Sequence, residues 1–199
     1  MQKSRIHTEQ RILAALESLL LNDGFPSVGI NAIARTAGCD KVLIYRYFDG
    51  LDGLLQRFAE EHDLWWTLDE IFPSNEDELT PDSLPQFLDQ LLKRHIKSIQ
   101  QRPLTQEIMA WEMSAHNALT QALSRQRTEQ GMLLVKKVRR HFNQPNVDLG
   151  GILGIFGAAI NYLIIRTRHS HSEHEKEEWW RLEQTISSLL SCQNSPEKT

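Results

Sequence analysis

The most specific chemistry in this chain lies in Lys41, Tyr45, Arg46 and Tyr47. Two cations and two phenols within one short segment are groups that meet phosphate oxygens and base edges: lysine as a point charge, arginine as a planar fork, tyrosine through its hydroxyl. The same residues have a plainer reading, because both tyrosines can serve a core with wetted hydroxyls. Other candidate chemistry is thinner. His169, His171 and His174 stand in HSHSEHE, a spacing that fits no structural zinc pattern, and no metal is expected there. No nucleophile elbow, phosphate-binding glycine loop or HExxH helix is present. His62, His95, Glu107 and Glu112 are scattered over amphipathic helices with nothing to pair them as acid and base, so an enzyme is not expected. Trp65, Trp66, Met109, Trp111, Glu112, Met113, Phe156 and Tyr162 are as a group candidates to line a pocket for a flat or apolar ligand, although any single aromatic among them reads more readily as a core side chain.

Positioning the cations and phenols falls to residues 29–48, GINAIARTAGCDKVLIYRYF. Ile30, Ile33, Ala34 and Ala37 recur at helical spacing and predict a helix from Ile30 to about Thr36. Gly38 supplies the positive φ that a tight turn between crossing helices needs. Asp40 stands where a carboxylate accepts orphan N–H groups at the positive end of the next helix. That helix, Lys41–Tyr47, turns Ile44 and Phe48 inward and leaves Lys41, Leu43, Tyr45, Arg46 and Tyr47 for its other faces. The whole reads as a helix-turn-helix whose second helix enters a DNA groove, with Asn31 and Arg35 as further candidate contacts.

The same stretch carries a wider likeness. Arg11-Ile12-Leu13-Ala14-Ala15, Gly24-Phe25, Ile33-Ala34-Arg35-Thr36-Ala37-Gly38, Tyr45-Arg46-Tyr47-Phe48 and Leu54-Leu55 stand in the register of the TetR/AcrR DNA-binding domain, which residues 11–55 resemble. The resemblance covers the first quarter to third of the chain. It implies an all-α protein of about nine helices: an N-terminal three-helix DNA-binding domain over residues 1–50 and a larger C-terminal helical domain over 51–199 for ligand binding and dimerisation. It further implies a ligand-responsive repressor, with an unknown small molecule as effector and no cofactor. As a homodimer it would bind a near-palindromic operator in double-stranded DNA. Lys41, Tyr45 and Tyr47 match family positions that commonly meet phosphates or base edges. Three departures weaken the likeness. Val28 and Gly29 replace the hydroxyl residues usual before the second helix, which removes a side-chain cap. Leu43 replaces a small or polar residue, shifting readout towards apolar contact such as a thymine methyl. Gly50-Leu51 replaces Ser-Lys and removes a cation at the start of the fourth helix.

Charge does not advertise a polyanion partner. The chain carries a net −4 over 199 residues, and residues 1–60 hold seven Lys/Arg against seven Asp/Glu. A basic face must therefore come from placement, with Lys3, Arg5, Arg35, Lys41 and Arg46 on one side. Cys39 and Cys192 form no motif, and Cys39 reads as a buried thiol in a reducing compartment. With a polar N-terminus in place of a signal peptide, a soluble cytoplasmic protein is expected.

Apolar periodicity predicts the remaining helices. The first runs from about Ser4 to Asn22 with Ile12, Leu13, Leu16, Leu19 and Leu20 inward, and Gly24 as its left-handed terminator. A long fourth helix carries Leu51, Leu54, Leu55, Phe58, Trp65, Leu68 and Phe72 and would link the two domains mechanically. An acidic break follows at Pro73–Glu78. Leu84, Phe87, Leu88, Leu91, Leu92, Ile96 and Ile99 mark a fifth helix, Leu104 to about His116 a sixth, and Ala118 to Phe142 a seventh with a basic tip at Lys136–His141. Residues 149–165 are apolar nearly all round, so burial on most sides is expected; the run is short for a membrane span, holds Asn161 and stops at Arg166. Gly150, Gly154, Gly157 and Ala158 form a smooth strip on it. With Trp179, Leu182, Ile186 and Leu189 of the last helix, about Glu175–Ser191, that strip is the expected dimer interface. Two rival readings stand beside the regulator: a helical ligand- or protein-binding dimer with weak or lost DNA binding, favoured by the near-neutral head, and an enzyme using the tryptophan-lined pocket.

Overall fold

A computed structural model places the backbone of residues 2–72, 84–142, 147–170 and 172–192. Among these residues every regular element is helical. There are ten α-helices: α1 (Gln2–Asp23), α2 (Ile30–Ala37), α3 (Val42–Phe48), α4 (Leu51–Glu61), α5 (Leu68–Ile71), α6 (Leu84–Gln100), α7 (Pro103–Glu112), α8 (Ala118–Phe142), α9 (Leu149–Thr167) and α10 (Glu173–Cys192), with a 3-10 turn at Phe25–Ser27. The expected acidic break at Pro73–Glu78 lies outside the described residues, as do the side chain of Lys3 and all of His171.

The tenth helix arises because the long fourth helix is not continuous. His62 is extended at φ −126°, ψ 134°, which ends α4. Its Nδ1 lies 2.7 Å from the Phe58 carbonyl, and its ring stacks on Phe58 with centroids 3.9 Å apart. The Leu64 amide donates to Gln126 Oε1 at 2.9 Å instead of to the preceding turn. Thr67 and Glu70 then open α5 with a capping box. Five of the seven apolar residues of the expected stripe are nevertheless inside: Leu54, Leu55, Phe58, Trp65 and Phe72 are buried, while Leu51 and Leu68 are partly exposed. Most of the burial was legible in the periodicity, whereas the break is set by the His62 ring and by a glutamine far along the chain that takes over a backbone amide.

The chain divides into two compact units that do not follow a single cut at residue 50: Met1–Trp65 with Arg102–Arg127, and Trp66–Gln101 with Thr128–Thr199. In the first, α1 buries the predicted Ile12, Leu13, Leu16, Leu19 and Leu20, and packs on α2 and α7. Gly24 has the expected positive φ of 73°, but its ψ of 171° lies outside the left-handed helical well. Pro103 takes the first turn of α7, where its missing N–H costs nothing. This helix stops at Glu112, four residues short of the expected end, and is buried from Thr105 to Ala110. Trp111 stacks on Phe25, and Glu112 receives both terminal nitrogens of Arg127 at 2.8 Å.

In the second unit α6 is the central element, with all seven predicted apolar positions buried and His95 among them. It packs against α5, α9 and α10. Phe72 and Phe142 flank Phe87, and Lys137 lies over the Phe72 ring at 4.1 Å. The basic tip of α8 thus spends one of its cations on the core edge. On α9, Leu149, Ile160, Leu163, Ile164 and Thr167 are buried, whereas Gly150, Gly154, Ile155, Ala158, Ala159 and Tyr162 are exposed. Burial on most sides, as composition suggests, does not occur within one chain. At 19 residues α9 is long and apolar enough to cross a membrane by length and composition.

Candidate nucleic-acid interface

The turn between α2 and α3 is built as the residue types require. Gly38 sits at φ 61°, ψ 42°, where a side chain would be strained. Its N–H donates to the Arg35 carbonyl at 3.1 Å and that of Cys39 to Ala34 at 3.0 Å, a Schellman pair that satisfies the last carbonyls of α2. Cys39 is partly exposed rather than buried. Asp40 Oδ1 accepts the Val42 N–H at 2.9 Å, so the carboxylate caps α3 as expected. At the other end of α2, Gly29 is extended and contributes no side-chain cap. The missing hydroxyl is therefore a real loss of one partner for the N-terminal amides.

Within α3 the inward stripe is Ile44 and Phe48, both buried. Lys41, Val42, Tyr45 and Arg46 are exposed, Tyr45 at 55%, and Leu43 and Tyr47 are partly exposed. Asn31 and Arg35 on α2 are exposed as well. The helix begins at Val42, one residue later than expected, with Lys41 at its N-cap. A short helix that shows solvent an arginine and a phenol, with a lysine at its entry, suits a polar groove. Two glycines hold it against α4. Gly50 has φ 100°, and a Cβ on Gly53 would overlap the Phe48 carbonyl. Asp49 between them adopts φ 60°, a conformation that aspartate tolerates better than most residues.

Two arginines that no helix-turn-helix pattern singles out support this surface. Arg11 of α1 donates from Nε to the Ala37 carbonyl at 3.1 Å and from Nη2 to the Gly38 carbonyl at 2.8 Å. A cation at the C-terminal end of α2 suits the dipole and fixes the turn. Arg11 appears in the sequence only as one anchor of the family likeness, and its role needs the crossing of α1 and α2 to be seen. Arg5 lies over the Tyr47 ring at 5.1 Å and pairs with Glu9 at 2.6 Å. That pairing and the nearby charge hold the Arg5 guanidinium above its ordinary pKa.

The ligand candidates do not share one environment. Trp65 and Met109 are buried and Trp111 is partly exposed in the first unit. Met113 is 74% exposed, because α7 has ended before it, and Glu112 is taken by Arg127. In the second unit Phe156 is partly exposed and Tyr162 is 65% exposed. Trp66 is buried in a polar triad: its Nε1–H donates to His95 Nδ1 at 2.8 Å, and His95 Nε2 faces Asn161 Oδ1 at 3.1 Å. With Nδ1 accepting, Nε2 carries the proton and donates to the amide oxygen. Burial pushes the His95 pKa down to about 4, and the Asn161 contact offsets that only in part. Asn161, which in sequence merely interrupts an apolar run, is thus the partner of a buried histidine.

Of the interface candidates, Gly154 and Gly157 would meet nothing within 4 Å if a Cβ were added, and Leu189 is 52% exposed. Trp179 is partly exposed, with Nε1 3.4 Å from Thr167 Oγ1, and Leu182 is partly exposed too. Ile186 is different: at 2% exposure it belongs to the core of its own chain and is removed from the interface set. Trp180 and Ile155, 61% and 72% exposed, stand in the open, and periodicity does not single them out. Among the described residues no group of three or more His, Cys, Asp or Glu is gathered for a metal.

Residues 12–58 match the family model for bacterial regulatory proteins of the tetR family. Over 44 residues the chain is 46% identical to an uncharacterized HTH-type transcriptional regulator of Mycobacterium tuberculosis, found alike in strains CDC 1551 / Oshkosh and ATCC 25618 / H37Rv. That match spans only 22% of this chain and 22% of the relative. The fold is similar to that in a crystal structure of a putative TetR-family transcriptional regulator from Rhodococcus sp. (TM-score 0.58, 16% identity, 91% of this chain and 99% of that one). It is also similar to one from Streptomyces coelicolor (TM-score 0.55, 17% identity, 93% and 83%).

Proposed function

We propose that this chain, a tetR-family protein through its residues 12–58, is a DNA-binding transcriptional regulator that represses as a dimer and responds to a small molecule. The observation that carries the reading is the exposed face of α3 and its N-cap, where Lys41, Tyr45 and Arg46 stand in solvent beside a turn, cap and packing that neighbouring residues satisfy. The DNA-binding head of residues 1–50 would read a half-site, and residues 51–199 would supply regulation and the dimer contact. The partly uncovered glycine strip of α9 supports that contact, since four glycines in a helix cost about 1 kcal/mol each against alanine unless close approach offsets them. An apolar effector is the class that tryptophan and methionine side chains hold. It would act only through different affinity for DNA-competent and incompetent states.

A salt-dependent gel shift with DNA from upstream of the chain's own gene tests the reading. Footprinting should show a protected near-palindrome, and Lys41→Ala should weaken it. Absence of any protected site at low salt would favour the rival, a helical ligand- or protein-binding dimer, for which the near-neutral head speaks. For the interface, Gly154→Leu should give monomers in sedimentation; an unaltered dimer would move the contact off α9.

A further inference from the structure

The head is electrically neutral over residues 1–60, so any phosphate affinity depends on where its cations stand. Beside α3 lies an open cleft of about 530 Å3 bounded by α1, α3 and α4. Its cations are Arg5, Arg46 and Arg57, one from each helix; Tyr45 and Tyr47 line it between them, and Glu9 and Asp49 are its acids. The first turn of α4 offers no cation, only Asp52, so positive charge from this helix reaches the recognition face at Arg57.

Arg5 and Arg57 are held in the same manner. Arg5 Nε lies 2.6 Å from Glu9 Oε1 and Arg57 Nε lies 2.7 Å from Glu61 Oε1, each four residues on along its helix. In both pairs the contact is made through Nε, which leaves the terminal Nη nitrogens for a planar, bidentate partner. The arginine side chains are 58% and 56% exposed, and exposed pairs of this kind are weak enough for a stronger anion to displace the carboxylate. Arg5 is also steadied over the Tyr47 ring at 5.1 Å.

We infer that this cleft receives a phosphate of the DNA backbone, bound by Arg5 from α1 and Arg57 from α4 alongside Arg46 and the Tyr45 and Tyr47 hydroxyls. The inference rests on the regulator reading, since it supplies a second positive edge to the surface that reads DNA. Glu9 and Glu61 then act as restraints: they hold the guanidiniums in place and compete with phosphate for them.

The test is fluorescence anisotropy of the full-length chain on a short labelled duplex of mixed sequence at low salt, which needs no operator. Arg5→Gln and Arg57→Gln should each weaken binding several-fold. The double variant should lower the slope of log affinity against log salt by about 0.9, the value of one phosphate contact. Glu9→Gln should tighten binding, and the gain should vanish in the Arg5→Gln background; Glu61→Gln should behave likewise against Arg57→Gln. Arg181→Gln on α10, a similar exposed pair, serves as the control that leaves binding unchanged. Unaltered helicity and melting keep a folding defect out of the comparison. Wild-type binding with an unchanged double variant overturns the cleft alone. No binding by the wild-type chain to any duplex overturns the regulator reading and the cleft together. Tightening by Glu9→Gln that persists without Arg5 also overturns it, because general charge would then be the cause.

Discussion

The α2–α3 motif and the α6–α9 core solve opposite problems with polar side chains. In the motif, charged groups stand in water and are oriented by short-range contacts to backbone: Asp40 on the Val42 amide, Arg11 on the carbonyls of Ala37 and Gly38. In the core, His95 is out of water altogether and is tolerated because both ring nitrogens are matched, by Trp66 and Asn161. Local contacts at the surface set direction and contribute little stability. A satisfied buried group contributes little while intact, yet costs much when its protonation or partner changes.

The largest effect expected from that contrast is a pH dependence confined to the core. The His95 pKa is near 4 in the folded chain against 6.5 for the free side chain, so the unfolded state takes up the proton first as pH falls. Stability is full above pH 6.5, falls between 6.5 and about 4, and loses about 3 kcal/mol in all. Denaturant melts across this range should show the loss, and a His95→Gln variant should flatten it. A wild-type profile that stays flat would mean the triad is not neutral and dry. Next in size is Gly53→Ala, which sets a methyl against the Phe48 carbonyl and should cost about 3 kcal/mol or somewhat less as overpacking. Its thermal shift should be large while that of Gly131→Ala, where nothing lies within 4 Å, is small or stabilising. Arg11→Ala should cost about 1 kcal/mol, the net worth of its carbonyl contacts, and loosen the turn as seen in amide exchange at Cys39. Smallest is Gly29→Ser: the position is extended at φ −169° with open space around it, so the hydroxyl can cap α2 for a gain of a few tenths of a kcal/mol. A loss there would show that the Gly29 backbone needs to move.

What the sequence made legible follows the same division. Gly38, Asp40, the stripe of Ile44 and Phe48, and the absent hydroxyl cap at Gly29 are readable because each acts on residues a few positions away. The seven-residue stripe of α6 is readable because one face of a helix meets one core. The end of α4 was not, since it depends on the His62 ring and on Gln126, 62 residues beyond the Leu64 amide that it satisfies. Nor was Ile186 separable from Leu189: both fit the same apolar stripe, and only packing tells which is inside. At the candidate interface Lys41, Tyr45 and Arg46 were singled out from their types alone and are exposed, whereas Arg11 and Arg57 come into play through the crossing of α1 and α4 with the motif.

The half-covered state of α9 carries a thermodynamic consequence. Its outward residues, among them Gly154, Ile155, Ala158 and Tyr162, are apolar surface that a lone chain leaves in water. If a second copy covers them, as proposed, folding and association are linked by mass action. The melting temperature is then a function of protein concentration rather than a constant of the chain. Dilution would act as a denaturant.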